Sequence, residues 1–404
     1  MCPRFSLPGL STHVSLCLGW TVASAPVLGG QEHPVVELPP ATQTLAGKEF
    51  SQIRGVSELT DGRVLVSDGL ERSLYVVDFR SGDVRSVGTI GNGPGEFQYP
   101  GRLYPLGTDS ALLTDQTTQK AFLVVRDSFP ETLTSASLLI AEFGGEPPWG
   151  ISRSGRVLGV QGFGYSGNRL ALSRVEADSL RILLTAGGVF DWQPGELEKI
   201  VEVGGQGALG AWVRNQWGGR EYLTSPLASE GQAWLFRDGW IALVHPDPYR
   251  VDWRMPQGEW LRGGPLRAER VPVTWHSRCF ALTGDRDPGA CDEPDLARRV
   301  GDVPWPDHLP PFVMARRNRT NPGGIAVQPA PNGMVLIQRT MMADSPRRRY
   351  DVVDRSGVLR GTVSMAETQI IVGSGSSSLF VVTRDEVDLL TLSRHPWPSR
   401  LGAG

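Results

Sequence analysis

Charge of one sign, histidine and cysteine are all scarce in this chain, and each shortage removes a class of function. Forty basic residues against 43 acidic ones leave a formal net charge of −3 over 404 residues. A bulk attraction to nucleic acid or to an anionic membrane surface is therefore not expected. The basic runs RRNR at 316–319 and RRR at 347–349 are short and read as solvated rims or strand edges. Of six histidines, His33, His245 and His395 precede proline and His308 stands before Leu309-Pro310, so they mark turns, and no two have ligand spacing. Four cysteines include no CxxC pair, which leaves no zinc-type motif. No apolar run is long and unbroken enough for a comfortable membrane span.

Glu32 is preceded by a single charge, Arg4. The stretch 14–28 is apolar and small, and Ala23-Ser24-Ala25 has the small-x-small form of a signal-peptidase site. Val27-Leu28-Gly29 competes with it, because Pro26 would hinder cleavage at the first. Residues 1–30 read as an export signal, and 31–404 as a periplasmic or secreted chain with no membrane span after cleavage. Export would remove Cys2 and Cys17 and leave Cys279 and Cys291, which flank the turn-rich FALTGDRDPGA. One disulfide is the expectation, stabilising by roughly 2–3 kcal/mol through loop closure. Two free thiols are the alternative, and a metal site finds only His276 nearby.

Glycine (49) and proline (31) are plentiful and spread between short apolar runs, as in many strands joined by turns. One rhythm recurs: turn, strand, polar loop, strand. It opens at Asp61, Asp109, Ser154, Asp238, Asn332 and Ser376. The first three openings lie 48 and 45 residues apart and the last two 44 apart, the period of a four-stranded propeller blade. The longer intervals are read as insertions, most clearly near 276–312, where EPDLARRVGDVPWPDHLPPF holds a short helix and a proline-rich loop. The last repeat supplies at most three strands, so VVELPPATQ (35–43) is expected to complete the last blade and close the ring. The fold expected is all-β: one six-bladed propeller of four-stranded antiparallel blades over 31–404.

The run IGNGPGEFQYP at 90–100 tests that reading. A phosphate-cradling glycine loop should open a helix and carry Lys-Ser/Thr after its glycines. Here RLYPLGTDSALLTD follows, which is strand-like. The glycines suit backbone turns between blades, with Phe97 packed between sheets. GNGPGEFQYP-GRLYPLGTDSALLTDQTTQKAFLV and the preceding GVSELTDGRVLVSDGLERSLYVVDF resemble the blade junctions of NHL-repeat propellers. The mature chain is similar to exported bacterial six-bladed β-propellers related to that group. The resemblance is clearest over 50–125 and weakest from 190 to 310.

Propellers take ligands at one mouth of the channel, and fold alone names none. G373SGSS is a glycine-serine turn and not a nucleophile elbow. Propeller lactonases and lyases use inward carboxylates, Asn or His around a metal. An equivalent here would draw on Glu58, Asp115, His245 and Asp247 from separate blades, with calcium or zinc as cofactor, and the acidic N-terminal strand motif of the sugar lactonases is missing. Eight of twelve tryptophans fall between Trp192 and Trp275. Trp240 and Trp253 sit in strand patterns and suit the wedges between blades. Trp212 and Trp217 sit in a glycine-rich loop, AWVRNQWGGR, beside Arg214 and Asn215, a platform for stacking with a few directed hydrogen bonds. Arg54, Arg102, Arg153 and Arg316 are further mouth-lining candidates. The reading is a binding module without cofactor for an extracellular small molecule, glycan or peptide. A metal-dependent propeller hydrolase or lyase is the alternative, and a scaffold for a partner protein the third.

Overall fold

Short β-rich runs bounded by glycine, proline and aspartate turns fold here into antiparallel four-stranded meanders. The computed structural model describes residues 33–93, 95–115, 117–118, 120–133, 150–153, 156–161, 168–174, 198–203, 210–214, 219–229, 231–313 and 326–402. The expected export signal, and Asn215, Trp217 and Arg316 among the candidate residues, lie outside the described residues. In the first sheet, Ile53–Glu58, Val64–Asp68, Ser73–Val77 and Val84–Val87 pair in sequence order. The second strand is buried at every position, as a strand covered on both faces must be. Sheets of the same kind span 100–133, 150–203 and 232–261, and a fourth copy spans 369–396. A two-stranded sheet spans 210–224.

The innermost strands stand side by side around an axis. Ile53–Glu58 touches Pro100–Pro105 on one side and Gln369–Ser374 on the other. Gly150–Ile151 lies between Pro100–Pro105 and Gln232–Leu235, and Val327–Pro329 between Gln232–Leu235 and Gln369–Ser374. The fold is an all-β propeller, but the count of six four-stranded blades is corrected. Among the described residues there are five four-stranded blades and not six, and the sheet over 327–366 has five strands.

The N-terminal segment explains the difference. The expected single closing strand over 35–43 is broken by Pro39-Pro40, which have no N–H to give a ladder. Val35–Glu37 therefore joins Leu359–Ala366 in parallel, as a fifth strand. Only Gln43–Thr44 completes the last sheet, against Ser393 and Arg394. His395 fastens the crossing, its Nδ1 2.7 Å from the Pro39 carbonyl and its Nε2 2.9 Å from Ser393 Oγ.

Apolar wedges between neighbouring sheets form the core. Phe50, Val66 and Phe380 fill the wedge where last and first sheets meet, and Trp253 and Phe312 that between the 232–261 and 327–366 sheets. Trp240 packs edge-on to Trp253. In the same wedge Tyr249 donates to Asp351 at 2.7 Å, and Arg339 contacts the same carboxylate at 3.1 Å. Burial pushes the Tyr249 phenol well above its usual 10, with the Asp351 charge adding to it; burial also raises Tyr350. An acid whose pKa is raised by folding contributes fully below its unfolded pKa, and that contribution is lost as pH climbs from there toward the folded value. Tyr249 is expected to cost up to about 1.4 kcal/mol of stability per pH unit above pH 10. Urea unfolding between pH 9 and 11 measures the slope. Tyr249→Phe should flatten it, and an unchanged slope would place the alkaline loss elsewhere.

Between the 232–261 and 327–366 sheets lies a helical segment. Trp275–Thr283 starts on Thr274, whose hydroxyl accepts from the Ser277 amide, and stops at Gly284 in the left-handed region (φ 76°). Pro294–Asp302 begins on its proline. Cys279 and Cys291 form a disulfide, with Cα atoms 5.8 Å apart, and are buried with Val300. Arg286, inside the loop that the disulfide closes, bonds to the carbonyls of Met342 and Ala343.

Candidate functional site

The ends of the channel differ because of where the chain enters each innermost strand. At the inlet end, two aspartates do the same work. Asp68 ends its strand, and its carboxylate accepts from the amides of Ser51, Gln52, Leu70 and Glu71 at 2.7–3.1 Å. Asp115 accepts from Gln98, Tyr99, Thr117 and Thr118 at 2.5–3.2 Å. Every partner shifts by 47 residues: 51 to 98, 52 to 99, 70 to 117, 71 to 118. Both aspartates are fully buried. Each clamps the segment leading into an innermost strand to the loop between second and third strands.

Those clamps place three side chains together. Arg54 Nη2 donates to the Tyr99 hydroxyl at 3.2 Å, and its guanidinium lies 5.5 Å from the Tyr99 ring centroid. Gln52 Oε1 is 3.4 Å from the same hydroxyl. Gly69 passes against the Arg54 stem, and a Cβ there would sit 2.8 Å from Arg54 Nε. Beside this cluster, the innermost strands enclose a cavity of about 100 Å³. Its wall is mainly apolar, with Ile53, Leu103, Trp234 and Ile371 among the lining, and its polar members are Arg54, Arg102, Gln328 and Gln338. Among the described residues no carboxylate lines it. A weakly solvated guanidinium in apolar surroundings attracts an anionic oxygen more strongly than the same group in water.

Arg54 and Arg102 thus lie together on the cavity wall. Arg153 does not join them. Its strand, Gly150–Ile151, is only two residues long, so Arg153 falls in the turn that follows, at the opposite end. Its amide bonds to the Arg237 carbonyl at 2.8 Å and its Nε to the Leu106 carbonyl at 3.0 Å, both in equivalent turns. Arg237 has its pKa lowered, first by burial and then by the Arg153 charge. Trp212 and Arg214 belong to strand Gly210–Arg214, in register with Tyr222 and Arg220, and not to a loop as expected: the run AWVR carries the aromatic and β-branched residues that favour a strand. Tyr99, Trp234, Gln328 and Gln338 were not among the candidates. For Tyr99 a signal existed, as the second aromatic of the glycine junction EFQYP. That junction does lead into a strand, Pro100–Pro105, with Phe97 buried against Phe122 and Phe129.

The four residues considered for a metal do not converge. Asp115 is at the inlet end with its oxygens taken by amides. Glu58 is at the turn end, where it accepts from the Ser376 amide at 2.8 Å and meets Arg394 at 3.3 Å. His245 Nε2 bonds to Asp252 at 2.9 Å, and burial, helped by Arg250, lowers its pKa.

No known protein family and no curated protein matches the chain. Among solved structures it is similar to a catalytically inactive virginiamycin B lyase from Staphylococcus aureus with quinupristin, at 10% identity over 90% of this chain and 99% of that one, with a TM-score of 0.35. It is also similar to regucalcin, a calcium-binding protein from Agrobacterium tumefaciens, at 12% identity (90% and 97% covered, TM-score 0.34). A member of the DUF4221 family from Bacteroides vulgatus matches at 7% identity (89% and 95% covered, TM-score 0.40). At these identities the likeness is of fold alone. Among the described residues no helix is long and apolar enough to cross a membrane.

Proposed function

We propose that the chain is an exported β-propeller module that binds an extracellular small molecule, glycan or peptide through an anionic group at the inlet end of its channel. The observation that supports this is the apolar cavity whose charged lining, among the described residues, is Arg54 and Arg102 with no carboxylate. The guanidinium groups take the anionic end, the apolar wall takes carbon, and the amides of Gln328 and Gln338 fix orientation. The Asp68 and Asp115 clamps hold Gln52 and Tyr99 in place before any ligand arrives, which lowers the cost of ordering on binding. Trp212, Arg214, Asn215, Trp217 and Arg316 are proposed to extend the recognition surface, so that Trp212→Ala and Trp217→Ala weaken binding without unfolding the protein. The export signal read over 1–30 supports a periplasmic or secreted location.

A matched panel tests the reading: peptides with free or amidated C-termini, and uronic-acid or neutral oligosaccharides, scored by calorimetry. The anionic member of a pair is expected to bind, and Arg54→Met to weaken it about 10- to 100-fold while leaving the unfolding midpoint nearly unchanged. Equal binding of charged and neutral members, or no effect of Arg54→Met, would overturn it. Binding of this kind calls for no metal. Elemental analysis of protein purified without chelator should show no stoichiometric calcium or zinc, and an ion lost together with thermal stability on chelation would favour a hydrolase or lyase instead.

A further inference from the structure

Arg348, on strand Arg347–Val353, is 1% exposed. A buried guanidinium is costly unless its donors are used. Its Nη2 donates to the Glu367 carbonyl at 3.0 Å, but its Nε and Nη1 are buried without a partner. Arg286 reaches the same corner from the disulfide loop. It gives Nε to the Glu367 carboxylate at 2.7 Å and Nη1 to two carbonyls at 2.6–2.7 Å, and it stacks 4.7 Å from the centre of the Phe280 ring. Its Nη2 is again buried and unpartnered. Two guanidinium groups from separate elements therefore meet at Glu367 with three nitrogens unused. Burial lowers the Arg348 pKa; Tyr350 and Glu367 oppose this, while the charges of Arg384 and Arg286 add to it.

We propose that this corner is a site for a small tetrahedral oxyanion, phosphate or sulfate, that bridges Arg348 of the propeller to Arg286 of the disulfide-held segment. Donors arriving from two directions suit an anion with oxygens on several sides better than a planar carboxylate. The Arg286 and Glu367 side chains at this corner are 25% and 33% exposed, while the three unused nitrogens lie buried behind them. The disulfide presents Arg286 to the site, and His276 Nε2 lies 2.9 Å from the Arg286 carbonyl. The bound anion would fasten the segment to the propeller, independently of the channel.

Thermal unfolding in inorganic phosphate, in acetate and in chloride at equal ionic strength tests this. Phosphate is expected to raise the midpoint saturably, with acetate and chloride without that effect. The phosphate concentration giving half the effect should rise at least about tenfold in Arg286→Met, and the effect should vanish in Arg348→Met, whose side chain keeps the apolar stem. If Arg348→Met does not fold, reduction of the disulfide in the unaltered protein supplies the second reading and should weaken the phosphate effect. The proposal is overturned by the absence of a saturable phosphate effect, by an effect unchanged in Arg286→Met, or by an equal effect of acetate.

Discussion

Replacing Asp68 with alanine is expected to destabilise the protein by about 4 kcal/mol, measured as a drop in the urea midpoint at unchanged slope. The carboxylate accepts from four amides and is fully buried. Alanine leaves those N–H groups without an acceptor, and an unsatisfied buried donor costs more than the hydrogen bond it once made was worth. Asp68→Asn should cost about half as much, because one oxygen survives while the new NH₂ faces donors. Asp115→Ala should match Asp68→Ala in stability and also weaken ligand binding, since Asp115 holds the Tyr99 amide and Tyr99 holds Arg54. A loss below about 1 kcal/mol for Asp68→Ala would mean that water replaces the carboxylate at these amides.

The aspartate clamps also show how far one sequence carries. In the sequence each clamp is a strand ending in Asp before a polar loop, VLVSDGLERS and ALLTDQTTQK with the aspartates 47 residues apart, because each clamp is local to its own repeat. What the aspartates hold was not visible, since Ser51 and Gln52 lie on the far side of two strands from Asp68. By sequence alone the arginine run at 347–349 reads as solvated. Strand alternation instead turns Arg349 outward and buries Arg348, and only the neighbouring sheet and the disulfide loop decide which member faces in. The N-terminal segment does close the last sheet, but only through Gln43–Thr44: Pro39-Pro40 divide the expected strand over 35–43 and send Val35–Glu37 to another sheet, which becomes five-stranded. Arg54 and Arg102 come to one cavity wall because their strands are long and strongly patterned. Arg153 was misplaced because its strand has two residues, so a one-turn error moves a side chain to the other end of the channel. Trp234, Gln328 and Gln338 carried no signal. They meet only where separate sheets converge, and no local pattern records that meeting.

Convergence at the axis also accounts for the second large effect, expected for Gly55→Val. Gly55 sits mid-strand in Ile53–Glu58, where glycine weakens a strand unless another backbone must come close. It does come close: a Cβ on Gly55 would lie 2.5 Å from the Leu103 backbone nitrogen and 3.2 Å from Leu103 Cβ. The obstacle is main chain of the next innermost strand, which has no rotamer to yield, so valine must push two sheets apart. A cost of about 3 kcal/mol is expected, at the upper end for overpacking. Gly55 lines the cavity between Arg54 and the strand that carries Arg102, so the same separation moves one arginine from the other. Gly55→Val should therefore lose stability and anionic-ligand affinity together, whereas Arg54→Met loses affinity alone. Urea unfolding and calorimetry on the two variants read both quantities. A Gly55→Val protein within about 1 kcal/mol of the parent would show that the innermost strands separate freely, and a cavity with walls that loose could not hold Arg54 and Arg102 at a fixed distance for one ligand.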